Sequence, residues 1–275
     1  MKSDPIIPKL TLGTPDEAYA GHAVRMSALA SAYAEQTPLP SPMPMLGLPP
    51  LADENNGVAL IAHLHRLGES KAYRLGDRVP GSIPEHQEIL DSLRALRPQA
   101  GMGTSFDKFP AHRDGDYDMG IKCLMVIACR YRSLLAEQDL RHIVDLLPIG
   151  LRGGYDMGVD TIPILPGLTI DETENHRLMI HGSRYLANQL LLDRTGDGRF
   201  DNQANGLARW LVESFMATIA RHDFLEFNAR GYNRLSLHAI LNLYEFARDP
   251  EVVTAAHILL DYIFMKFAVS SSRMR

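Results

Sequence analysis

From Asp171 to Leu192 the chain reads DETENHRLMIHGSRYLANQLLL, and its apolar positions recur with the period of an α-helix. Ile180, Ser183, Ala187 and Leu190 continue the stripe that begins at His176, while Leu178, Tyr185, Leu186 and Leu192 widen it. A helix apolar on most sides has to be enclosed by others. Asp171 is expected to cap it, with Glu174 reaching back in a capping-box arrangement, so that Asn175 and His176 fall in the second turn. Glu226 to Ala247, EFNARGYNRLSLHAILNLYEFA, echoes the design. Here Tyr232 follows a sharp Arg230-Gly231 turn and opens a helix whose Leu235, Ala239, Leu243 and Phe246 repeat at helical spacing. A phenol stands at one helix start, and an Asn-His pair at the other.

The remaining periodic segments are helical too. Thr14-Pro15-Asp16-Glu17 starts a helix to about Glu35, Ser82-Ile83-Pro84-Glu85 one to about Arg97 that Pro98 stops, and Asp249-Pro250 a last one to about Val269. Met119 to Leu135, Gln138 to Leu147 and Ala204 to Arg221, with Trp210 in its core face, complete the set. Val58 to Leu67 is too short to assign. Thr37 to Pro50 holds six prolines in fourteen residues and reads as an extended connector. Tyr-Asp-Met-Gly occurs at 117–120 and again at 155–158, consistent with repeated helical hairpins. The expected organisation is an N-terminal helix and proline-rich linker over 1–50, then an all-α domain over 51–275. Antiparallel helical hairpins would build it as an (α/α) toroid, or an incomplete one given roughly eight helices. Gly150 to Leu168, rich in glycine and proline, is expected to be a loop walling or covering a cleft.

Charge narrows the partners. With 28 basic and 33 acidic residues the net charge is −5, so no global basic field invites nucleic acid or an anionic membrane. A polyanionic ligand would need a local basic cleft, for which Arg209, Arg221, Arg230 and Arg234 are available. The opening MKSDPIIPKL has no signal-peptide pattern and nowhere do 18 apolar residues run together, which leads to the expectation of a soluble cytoplasmic chain. Cys123 and Cys129, six apart in one helical pattern, read as reduced core thiols. Sequence says nothing of the oligomeric state.

Asn175-His176, followed 56 residues after His176 by Tyr232 at a helix start, resembles the alginate lyase and heparinase-type polysaccharide lyases. The run Arg230 to Ala247 is similar to the Tyr-bearing helix of that superfamily, and the likeness covers Asp171 to Ala247. Glu174-Asn175 stands where many members have a doubled Asn, and Arg230 or Arg221 where they have a basic residue before the Tyr. The resemblance implies an (α/α) toroid that cleaves uronate-containing polysaccharides by β-elimination. Asn175 and His176 would neutralise the uronate carboxylate, and Tyr232 would be the base, or the acid to the leaving oxygen. Arg230, Arg234, Arg221 and Glu226 would bind substrate. It also implies work outside the cytoplasm, in tension with the absent signal pattern.

Those residue types suit that chemistry, because removing the C5 proton leaves enolate-like charge that amide and imidazole donors stabilise. Two alternatives stand beside it. One is a non-catalytic helical scaffold that binds a glycan or protein partner; the other is a glycoside hydrolase using paired carboxylates among Asp223, Glu226 and Glu245. No cofactor is expected, since Gly101-Met102-Gly103 lacks the strand, third glycine and helix of a dinucleotide loop. No metal is expected either. His63 and His65 lack a third ligand, no HExxH occurs, and the aspartates of His112 to Asp118 read as a cap. Asp193 to Ala204 fits a calcium loop up to Gly198 but ends on Ala204 where a Glu belongs, and so reads as a solvated turn.

Overall fold

A computed structural model describes residues 15–42, 47–69, 83–98, 117–147, 161–165, 168–171, 173–229 and 231–271. Among these residues the fold is helical, with one two-stranded hairpin. The helices are α1 (Pro15–Gln36), α2 (Glu54–Glu69), α3 (Pro84–Ala95), α4 (Tyr117–Arg130), α5 (Glu137–Leu146), α6 (Glu174–Thr195), α7 (Leu207–Ala217), α8 (Asn233–Phe246) and α9 (Pro250–Ser270). Strands β1 (Thr161–Leu165) and β2 (Leu168–Asp171) pair antiparallel immediately before α6.

That hairpin corrects two expectations. Part of the segment read as loop, 161–165, is strand, and Asp171 ends β2 rather than capping α6. The N-cap is Thr173, so Asn175 and His176 lie in the first turn of α6. The β-branched Thr161, Ile162 and Ile164 support a short strand, and Pro163 is tolerated in a two-stranded ladder that has only edges. The second Tyr-Asp-Met-Gly, residues 150–160 and 166–167 of the expected loop, and Arg230 lie outside the described residues.

Contacts between helix ends fix directions. Near the starts of α2 and α4, Lys122 reaches Glu54 at 2.7 Å, and near their ends Tyr131 Oη meets His65 Nδ1 at 3.4 Å. Asp118 and His176 touch near the starts of α4 and α6. Met179 packs with Leu235 near the starts of α6 and α8, and Gln189 donates to the Phe246 carbonyl near their ends. Helices α2, α4, α6 and α8 therefore run the same way, side by side. Helix α3 returns along α2, its start tied to the end of α2 by Arg66–Glu85 and its end to the start of α2 by the Leu51–Arg97 bridge. Helix α5 follows α4 after a short connection, and α9 follows α8 after three residues. At the end of α7, Asp223 bonds Tyr262 late in α9, so α7 and α9 run together. The described chain thus forms two layers, with α2, α4, α6 and α8 in one direction and α3, α5, α7 and α9 in the other.

The layers enclose one large apolar core that includes Leu60, Leu64, Leu90, Leu124, Ile127, Leu186, Leu211, Phe215, Ile240 and Leu259. Helix α4 has buried residues on every side. Two glycines allow its close approach to α2: a Cβ on Gly120 would stand 1.9 Å from the Ala52 carbonyl oxygen, and one on Gly57 2.5 Å from Cys123 Cβ. Helix α6 stops at Gly196 in the left-handed conformation, whose N–H bonds the Leu192 carbonyl at 2.8 Å. Helix α1 packs on α2, and His63 bonds the Thr37 carbonyl at 2.9 Å. Helix α9 is long and apolar enough to cross a membrane by length and composition, with mean hydropathy 1.6 over 18 residues, 33% of them buried.

Candidate acid–base site at the helix starts

Because four neighbouring helices share a direction, their N-termini gather at one end, bringing unsatisfied backbone N–H groups and positive helix poles together. The sequence places acids and polar side chains there. His176, 5% exposed, bonds through Nδ1 to Asp118 Oδ2 at 2.6 Å, and Asp118 is wholly buried. A carboxylate on Nδ1 fixes the ring and selects the tautomer whose Nε2 carries the lone pair when the imidazole is neutral. The same contact stabilises the imidazolium once it takes a proton. This is the orienting half of an acid–base dyad.

Asn175, 1% exposed, accepts from Thr173 Oγ1 at 2.6 Å, while its Nδ2 is buried without a hydrogen-bond partner among the described residues. Glu226 accepts the Asn175 N–H at 2.9 Å, and Glu174 accepts the Glu226 N–H at 3.0 Å. The two carboxylates thereby clasp the turn before α8 to the start of α6. Burial pushes the Glu174 carboxyl up, and Glu226 moves up for the same reason despite the Asn175 N–H and His176 nearby. Asp223 and Asn228 in this turn have φ of 65° and 59°, the left-handed region that Asp and Asn adopt more readily than other side chains.

Beside the dyad lies a second ionic group. Buried Lys122 donates to Glu54 at 2.7 Å and to the Met119 carbonyl at 2.9 Å, and Arg234 holds Glu54 through two bonds of 2.7 and 3.1 Å. Burial raises the Glu54 carboxyl, but the hydrogen bonds from Arg234 and Lys122 outweigh it and hold the group below its ordinary value. His238, one turn after Arg234, is pushed down to about 4 by burial and then by Lys122.

The expected site residues divide accordingly. Asn175, His176 and Glu226 come together. Tyr232 is at the start of α8, as expected, but its side chain is 53% exposed, and among the described residues it forms no hydrogen bond with Asn175 or His176. Arg234 is engaged by Glu54, and Arg221 is exposed in a π-helical turn, Thr218–His222, that ends α7. Of the carboxylates considered for hydrolysis, Asp223 and Glu226 share the turn before α8 and both act on Glu174, while Glu245 lies apart from them. Asp223 is held at about 2 by hydrogen bonds from Lys266 and Tyr262, whereas Glu245 pairs with Arg130 at the opposite end of the layer.

Sequence reasoning missed Asp118, Glu54 and Lys122. A lysine inside the apolar run Ile121 to Ala128 was the available signal, since a charge enclosed by such a helix requires a partner. Asp118 was read as part of a solvated cap.

Among the described residues no three His, Cys, Asp or Glu side chains gather as metal ligands. In the calcium-like stretch, Asp193 is bidentate with Arg248, Asp197 accepts two Arg199 guanidinium N–H groups on Oδ2, and Asp201 accepts the Gln203 and Ala204 N–H groups. Trp210 is partly buried in the α6–α7 contact, its ring 4.3 Å from that of His181 and 5.6 Å from the Arg177 guanidinium. No family model, no curated protein and no solved structure matches the chain.

Proposed function

We propose that the chain is a polysaccharide lyase-like enzyme acting on uronate-containing glycans, its two helical layers forming an incomplete (α/α) toroid with the site at the starts of the inner helices. The observation that carries this is the buried Asp118–His176 contact, set beside Asn175 on α6 and at the same end of the array as Tyr232 on α8. Helix poles there favour an anionic sugar. A base takes the C5 proton, the electron pair forms the C4–C5 double bond, and the C4–O bond breaks with its electrons and a proton going to the leaving oxygen. Asn175 and His176 stabilise the charge that develops on the uronate carboxylate, and Tyr232 exchanges the protons. Arg234 and Lys122, which share the one Glu54 carboxylate, leave a net positive charge beside the site, and α1 lies outside the chemistry.

A second function has its own support. His176 and Asn175 are almost fully enclosed while Tyr232 points to solvent, and that separation suits a non-catalytic scaffold binding a glycan or protein partner.

Ultraviolet absorbance of the unsaturated uronate product decides between them. Purified protein is mixed with alginate, heparin, chondroitin and pectin-type polymers. The lyase gives a rise that disappears in both His176→Ala and Tyr232→Phe. No rise on any polymer, from protein folded and helical by circular dichroism, gives the site to binding.

A further inference from the structure

At the far end of the same helices, the last turns of α4, α6 and α8 line a half-open cavity of about 290 Å³. Gln189 in its wall stands 13 residues beyond His176 along α6, roughly 20 Å at the helical rise. The cavity is therefore separate from the Asp118–His176 site.

Its polar walls are closed by mutual bonds. Gln189 uses both ends of its amide, Nε2 donating to the Phe246 carbonyl at 3.1 Å and Oε1 accepting the Arg248 N–H at 2.8 Å. The Arg248 guanidinium is bidentate on Asp193, and Glu245 is held by Arg130 at 2.8 Å. Each lining carboxylate has its own arginine. Arg132 also lines the cavity, and among the described residues it forms no ion pair. The Arg132 guanidinium, whose charge reaches Asp193 without a direct contact, is thus left unpaired beside the apolar surfaces of Ala128, Leu190 and Phe246.

We propose that this cavity binds a small monoanion with an apolar body, of the aromatic or short-chain carboxylate class, its charge on the Arg132 fork and its body against Ala128, Leu190 and Phe246. A guanidinium matches a carboxylate with two parallel hydrogen bonds. Helices α4 and α8 end here, so their negative poles act against any anion, and the Arg132 charge offsets one negative charge on the ligand but not two. The volume lies at the lower edge of ordinary ligand pockets, which selects a small molecule.

Cys129 lines the same cavity and provides the readout. Its thiol is pushed up to about 11 by burial, so labelling is run at mildly alkaline pH with a sulfonated and with a trimethylammonium methanethiosulfonate. Peptide mass distinguishes Cys129 from the enclosed Cys123. The sulfonated reagent is expected to modify Cys129 about five- to tenfold faster, the effect of one nearby, partly screened charge. Millimolar benzoate should slow the reaction, whereas benzyl alcohol and benzylamine should not. In Arg132→Gln, a change at an exposed side chain, the two reagents should react alike and benzoate should no longer protect. Equal rates in the unaltered protein, protection by all three compounds, or protection that survives Arg132→Gln overturns the proposal. So does failure of both reagents to reach Cys129, because the cavity would then be closed to solutes of this size.

Discussion

Glu226 caps the helix that carries His176, its carboxylate accepting the Asn175 N–H at 2.9 Å across 51 residues of sequence. The local cap gives no such help, because the Thr173 hydroxyl donates to Asn175 Oδ1 and accepts no backbone N–H in a cap bond. A carboxylate on a helix start satisfies an orphan donor and meets the positive pole. Removing it in Glu226→Ala should cost about 1–2 kcal/mol and speed amide exchange at Asn175 and His176. Glu226→Gln keeps an acceptor and should recover part of the loss. Denaturant unfolding together with site-resolved exchange checks this, and unchanged exchange in the alanine variant would mean that the clasp does not hold the helix start.

Asp118 should fix the tautomer of His176. In Asp118→Asn the acceptor on Nδ1 loses its charge, so the imidazolium is less stabilised and the ring orientation less defined. Nitrogen-15 shifts of the His176 ring should show a protonated Nδ1 in the unaltered protein and a mixture of tautomers in the variant. If the lyase chemistry holds, turnover should fall on the order of 10²-fold with little change in KM, because substrate binding does not use Asp118. Asp118→Ala, which leaves His176 without its buried carboxylate, should destabilise by about 3–5 kcal/mol.

Much of the helical layout was legible because amphipathic periods and caps are local. Pro15, Pro84 and Pro250 each stand at the first position of a helix, and Gly196 closes α6 where the apolar pattern ends. Two things were not local. The β1–β2 hairpin depends on two short segments finding each other, and its presence turned Asp171 from a cap into a strand end. The partner of His176 is 58 residues away, and only tertiary packing shows that an aspartate at another helix start meets it. Tyr232 shows the converse limit: its place on α8 follows from sequence, but the direction of its side chain does not.

Gly120 should tolerate no side chain. Its Cβ would stand 1.9 Å from the Ala52 carbonyl oxygen and 3.2 Å from Asp53 Cα, so the α2–α4 contact must open in Gly120→Ala. Backbone cannot rotate away as a flexible side chain can, and a cost of about 3 kcal/mol is expected. Gly182→Ala provides the control. A Cβ there would lie 3.4 Å from Leu243 Cδ1, a side-chain end able to shift, and alanine also favours the helix. Urea titration should therefore separate the two variants widely, and equal midpoints would show that the two helices approach less closely than described.

Acid sensitivity should begin at His238. Burial and Lys122 hold its folded pKa at about 4, below the ordinary 6.5, so between those values the unfolded chain binds the proton and the folded one does not. Stability must then rise with pH across that window and fall on acidification from 6.5 towards 4, by about 3 kcal/mol in total. The charged groups facing it are Lys122 and Arg234, which oppose protonation, and Glu54, which favours it. Glu54 is itself held below its ordinary 4.5; the stability it contributes is present above 4.5 and is lost only as pH falls through its lower folded value. The His238 loss therefore comes first. His238→Gln removes the titrating group and keeps a polar side chain, so its stability curve should be flatter than that of the unaltered protein from pH 6.5 down to 4. Taking the difference between the two curves cancels the other histidines. A difference that stays constant across the window would mean that His238 accepts its proton in the folded state as readily as in the unfolded one, and that Lys122 is too well screened to be felt there.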